Sequence, residues 1–155
     1  MCLYADINLS KSFWETAPYK GKKFAYFYKI YIKTDKTLFS PYQRNKVGWG
    51  AIVSNRHNKV LGKDECDVKC DVIWVGNDIC SINRGIHVLE STDCPDYDLW
   101  FNDATRYRSV GSETVVVVKV RGYKEDFVGC DARGNLVFNK VHLSRAEYRR
   151  AMKEK

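Results

Sequence analysis

His87 and Glu90 are the side chains whose types and spacing best suit proton transfer. They lie in the stretch Arg84-Gly85-Ile86-His87-Val88-Leu89-Glu90-Ser91-Thr92. His87 alternates away from Ile86 and Val88, so it is free to face a cleft, and Glu90 follows three residues on. The plainer alternative is a His that satisfies a backbone group at a sheet edge, and on that reading His87 is dispensable. Nucleophilic catalysis finds less support. No G-x-S-x-G occurs, and no cysteine sits in an evident activating context.

A second constellation suits binding rather than reaction. Residues 19–63 hold eleven Lys or Arg and one acid, Asp35. Lys20, Lys22, Lys23, Lys29, Lys33, Arg44 and Lys46 interleave there with aromatic residues, Trp49 among them. Phosphate neutralisation and base stacking use these residue types. The plainer alternative is a solvated lysine face over an aromatic core. Residues 64–103 reverse the sign, with ten acids against Lys69 and Arg84. Asp93, Asp96, Asp98 and Asp103 form an acidic group that would suit a basic partner groove. They lack the D-x-D-x-D-G spacing of a calcium loop, so a solvated acidic surface is expected, without metal. Residues 104–155 are basic again, with twelve bases and six acids. The order is basic, acidic, basic, on a chain of net charge +7.

Composition bounds the class. The 155 residues suit one domain, 1–155, and 45% hydrophobic with 29% charged residues excludes a disordered chain. No apolar run approaches the roughly 20 residues of a membrane-spanning helix. The N-terminus lacks a basic region followed by an apolar stretch, so a cytoplasmic protein is expected. The six cysteines at positions 2, 66, 70, 80, 94 and 130 are then expected as reduced thiols. Cys66-x3-Cys70 has no second close pair to complete a zinc site, and no cofactor is expected.

Strands must position these groups. Phe24–Lys33 is rich in aromatic and β-branched residues and free of Gly and Pro. One face carries Phe24, Tyr26, Tyr28, Ile30 and Ile32. The other carries Ala25, Phe27, Lys29, Tyr31 and Lys33 and is half polar. Further strands are expected at 47–53, 72–75, 86–89 and 114–121, the last buried on both faces at 115–118. Residues 127–130 and 136–143 read as a hairpin, and residues 91–103 as a short helix or irregular cover. Ser144-Arg145-Ala146-Glu147 is a capping box that opens a C-terminal helix. The fold expected is α+β, a mainly antiparallel twisted sheet with one or two helices.

Several stretches together resemble a family of small proteins common in tailed phages and their bacterial hosts. The carrying residues are Lys29-Ile30-Tyr31-Ile32-Lys33, Ser40-Pro41-Tyr42-Gln43, Val47-Gly48, Gly85-Ile86-His87-Val88 and the 115–120 strand. Lys124-Glu125-Asp126-Phe127-Val128 and Lys140-Val141-His142-Leu143-Ser144 complete them. The resemblance implies a phage origin and a compact α+β fold, and supplies no catalytic residues. The function expected is a phage-encoded, anti-CRISPR-like inhibitor that occupies a charged interface of a host defence protein or ribonucleoprotein. Direct RNA or DNA binding is the alternative. A small enzyme built on His87, acting by ADP-ribosyl transfer or phosphodiester cleavage, is the third.

Overall fold

The computed structural model describes residues 3–41, 46–47, 52–54, 70–72, 79–82, 85–107 and 113–153. Its strands are β1 (Leu3–Asp6), β2 (Phe24–Lys33), β3 (Leu38–Phe39), β4 (Lys46–Val47), β5 (Ile52–Ser54) and β6 (Cys70–Val72). They continue with β7 (Ile79–Ile82), β8 (Ile86–Leu89), β9 (Thr114–Tyr123), β10 (Phe127–Cys130), β11 (Asn135–Phe138) and β12 (Lys140–His142). The helices are α1 (Ile7–Ser12), α2 (Tyr97–Tyr107) and α3 (Arg145–Lys153). The main sheet runs β10-β11-β8-β2-β9-β12-β5, with β3 on β2 and β4 on β3. A second sheet runs β1-β7-β6. Every described strand pair is antiparallel, so the α+β expectation holds. Among the described residues no helix is long and apolar enough to cross a membrane.

The axis of the fold is the β2–β9 ladder, paired from Phe24↔Tyr123 to Lys33↔Thr114. Side chains alternate across it, so directly paired residues share a face. The face that looked half polar is the buried one. Ala25, Phe27 and Tyr31 join Val116, Val118 and Val120 in the largest core cluster, with Trp14, Phe127 and Phe138. The short segment of α1 and the 3₁₀ turn after it bring Phe13 and Trp14 to this cluster, where Phe13 stacks on Tyr19 at 4.3 Å and on Phe127 at 5.1 Å. Gly122 lets the sheet close on this side. A Cβ there would lie 2.6 Å from the Phe138 ring, so only glycine allows the ring to lie on the strand.

The opposite face is divided. α2 covers one half, where Ile30, Leu89 and Ala104 pack with Trp100, Phe101, Val115 and Val117. The other half is open: Phe24 is 37% exposed and Tyr26 50%.

The expected hairpin through 136–143 is two strands. Phe138 ends β11 opposite Phe127, and the Asn139 N–H donates to the Asp126 carbonyl at 2.7 Å. The chain bends there, and β12 crosses to pair with β9 and β5. Of the strand expected at 47–53, β4 and β5 are described and 48–51 lie outside the described residues. Of 72–75, only Val72 is described.

α3 starts as the sequence indicates, with Glu147 N–H donating to the Ser144 hydroxyl at 3.1 Å. The Glu147 carboxylate reaches across to the sheet. It accepts from the Lys119 N–H at 2.8 Å, while Arg150 donates to the Val117 carbonyl at 2.8 Å. Beyond the end of β12, these side chains supply the bonds that a neighbouring strand would otherwise make to β9.

Candidate nucleic-acid interface

The register fixes which side chains share the open half of the sheet. Phe24 lies opposite Tyr123, Tyr26 opposite Arg121, and Tyr28 opposite Lys119. On the next strand His142 lies opposite Arg121, and Lys140 alternates to the same face two residues earlier. The result is a field in which rings and cations adjoin one another. The signal for it was present in the alternation Lys119-Val120-Arg121-Gly122-Tyr123, but the partners across the ladder come from a strand some ninety residues away.

Arg121 is the centre. Its guanidinium lies 4.7 Å from the Phe24 ring centroid and 5.6 Å from that of Tyr26. It donates to the Tyr123 hydroxyl at 3.4 Å and to the Tyr26 hydroxyl at 3.3 Å. Lys119 Nζ sits 5.5 Å from the Tyr26 centroid. Tyr123 meets His142 edge-on at 5.0 Å. Such cation–ring contacts hold a long side chain in place without consuming its charge. Among the described residues no carboxylate lies within ion-pair distance of Arg121, Lys119 or Lys140. Burial and the charge of Lys140 lower the His142 pKa below its usual 6.5, with Asp126 opposing them.

The exposed Lys20, Lys22 and Lys23 precede Phe24, at one end of the open field. There the Lys124 N–H donates to the Lys23 carbonyl at 2.9 Å, continuing the ladder. Lys124 Nζ is loosely paired with Glu15 at 3.7 Å.

Other residues expected to contact a partner are placed differently. Lys29 turns inward, where its ammonium donates to the His87 carbonyl at 3.1 Å and lies 5.3 Å from the Tyr31 centroid. Burial pulls its pKa down to about 8. Lys33 caps α3, donating to the Ala151 carbonyl at 3.3 Å and the Met152 carbonyl at 3.5 Å. Each lies on the face opposite Arg121 and is engaged with backbone oxygens, so neither joins the open field. Arg44 and Trp49 lie outside the described residues, and Lys46 is described only as a backbone position of β4.

The acidic group also divides. Asp93 and Asp98 are exposed, and Asp103 is half-buried beside Arg106 at 4.0 Å. Asp96 is not a partner surface: it is 7% exposed and fully engaged. It accepts from Arg133 Nε at 2.8 Å and from Asn135 Nδ2 at 2.7 Å. Asn135 donates again to Asp131 at 2.9 Å and accepts from the Trp100 indole at 2.8 Å. These bonds pin the turn between β10 and β11 to the start of α2, and Arg133 foremost lowers the Asp96 pKa.

His87 and Glu90 are not brought together. His87 Nδ1 lies 3.2 Å from the Gly85 carbonyl, and burial drives its pKa down to about 4. Its buried Nε2 has no partner among the described residues. Glu90 instead accepts from the Tyr19 hydroxyl at 2.6 Å. No group of His, Cys, Asp and Glu among the described residues is arranged to hold a metal ion. Cys94 and Cys130 are free thiols, and burial pushes Cys130 up to about 12, which makes it a poor nucleophile.

Compared with protein-family models, curated proteins and solved structures, the chain matches none.

Proposed function

We propose that this protein binds nucleic acid on the open half of its central sheet. The observation that carries the reading is Arg121, a cation without a carboxylate partner among the described residues, laid over Phe24 and held by the hydroxyls of Tyr26 and Tyr123 beside exposed rings. A guanidinium fixed among rings offers a phosphate its charge and a base its plane. Lys119 and Lys140 add charge beside it, and Lys22 and Lys23 extend the positive potential past the end of the strands. The net charge of +7 favours a polyanion in the same direction.

The test is fluorescence anisotropy with a labelled mixed-sequence oligonucleotide at several salt concentrations. Three to six phosphate contacts correspond to a slope of log affinity against log salt of about −2 to −4. Arg121→Glu should weaken binding at least tenfold at about 0.1 M salt while leaving the melting temperature nearly unchanged. If the wild type binds no oligonucleotide at low salt, the reading fails. Inhibition of a host defence protein through a protein interface is then the reading to pursue.

A further inference from the structure

Resting on that reading, we infer that the ligand is a single strand whose bases are splayed onto the sheet, and not a duplex. The argument starts from spacing. The three cross-strand pairs Phe24/Tyr123, Tyr26/Arg121 and Tyr28/Lys119 are separated by two residues along each strand. At a rise of about 3.4 Å per residue, successive pairs stand about 6.8 Å apart. Bases in a duplex strand are about 3.4 Å apart, half that distance. A strand that meets one pair per base must therefore be unstacked.

Ring orientation leads to the same class of ligand. Phe24 and Tyr26 stand at 87° to each other with centroids 6.0 Å apart, and Phe24 and Tyr123 at 48° and 5.5 Å. They form no continuous stack of their own, and Phe24 and Tyr26, 37% and 50% exposed, present ring surface that a base can cover. In a duplex, base faces are covered by their neighbours, and the flat sheet would reach only phosphates. Arg121, Lys119 and Lys140 would then be engaged, while the exposed Phe24 and Tyr26 would meet nothing. A single strand uses both sets, phosphates on the cations and bases on the rings. DNA and RNA share this chemistry and form separate arms of the test.

The experiment compares a labelled 12-nucleotide single strand, as DNA and as RNA, with a 12-base-pair duplex in the same buffer. Each single strand is also made with one central 2-aminopurine, whose fluorescence falls when it stacks on a ring. At least one single strand should bind tenfold or more tightly than the duplex, with its 2-aminopurine signal quenched. Tyr26→Ala should weaken that binding about 5- to 100-fold. Tyr26→Phe keeps the ring and loses the hydroxyl to which Arg121 donates, so it should retain the quenching and the single-strand preference, which separates stacking on the ring from the positioning of Arg121. Equal affinity for strand and duplex, or single-strand binding indifferent to Tyr26→Ala, overturns the inference while leaving nucleic-acid binding intact. Absence of binding to every probe overturns the underlying reading instead. Because Tyr26 is half exposed, circular dichroism and a melting curve suffice to show that the variant is folded.

Discussion

Lys29 shows what an interior amine costs. Its pKa falls from 10.5 to about 8 on folding, so below 8 the folded chain carries a charge that burial disfavours. One pKa unit corresponds to about 1.4 kcal/mol, and partial solvent access and the lost bond to the His87 carbonyl reduce the gain on removal. Lys29→Met should therefore stabilise the protein at pH 7 by about 1–2 kcal/mol in urea denaturation, without weakening oligonucleotide binding. His87 acts on the acid side. Folded, it ionises near 4, and its ordinary value is 6.5. Between these the unfolded chain takes up a proton that the folded chain refuses, so stability falls as pH drops from 6.5 to 4. The loss approaches about 1.4 kcal/mol per pH unit at most. His87→Asn should lose less across that window, as denaturation at pH 7 and pH 4.5 would reveal. Both effects arise from strand neighbours that the sequence does not display. His87 was expected to satisfy a backbone group at a sheet edge; its ring nitrogen does lie beside the Gly85 carbonyl, but on β8, an interior strand between β11 and β2. That Lys29 would turn in was hidden, because its recipient carbonyl lies 58 residues away.

At the level of strands and helices, local composition revealed existence better than direction. Phe24–Lys33 announced itself as a strand by its aromatic and β-branched residues. Its half-polar face, with Lys29 and Lys33, is nevertheless the one that joins the main core, so alternation alone did not say which would be covered. The answer depends on α2, which occupies only the Ile30 half of one face. The 136–143 run looked continuous because nothing around Asn139 resembles a turn; its bend is made by the Asp126 carbonyl. Asp96 and Asp98 are equivalent by sequence, and what separates them is Arg133, 37 residues further on. That difference is measurable. Asp96→Lys breaks bonds to Arg133 and Asn135 and leaves a charge at a 7% exposed site, so it should cost about 2–3 kcal/mol in denaturant. Asp98→Lys, on the exposed side of α2, should stay within about 0.5 kcal/mol of wild type. Gly122 gives a second comparison. Gly122→Val drives a branched side chain into the Phe138 ring and should lower stability by about 1–3 kcal/mol or more.

Across the whole molecule, the described members of each charge block do not keep to one surface. Among the described residues the basic block contributes exposed lysines at 20, 22, 23 and 36, but turns Lys29 inward and ties the half-buried Lys33 to the end of α3. The cations of the proposed surface come largely from β9 and β12, far along the chain, and meet β2 only through the sheet. The candidate site was thus half legible: its residue types were evident, and its membership required the ladder. His142 gives that surface a dependence on acidity. It is neutral at pH 7, and lowering the pH below its depressed pKa adds a positive charge beside Arg121 and Lys140. Oligonucleotide affinity should rise only as the pH is lowered below 6.5, and His142→Phe should flatten that acid limb of the profile. The edge of α2 carries a different consequence. The helix begins to cover the sheet just past Tyr28 and Lys119, so a bound strand meets a wall after three residue pairs. The stretch of bases that one molecule stacks is then about three nucleotides by the strand rise, with further phosphates beyond it reaching Lys22 and Lys23. A long polymer would accept many copies side by side, and titration of a thirty-nucleotide strand should saturate at several proteins per strand.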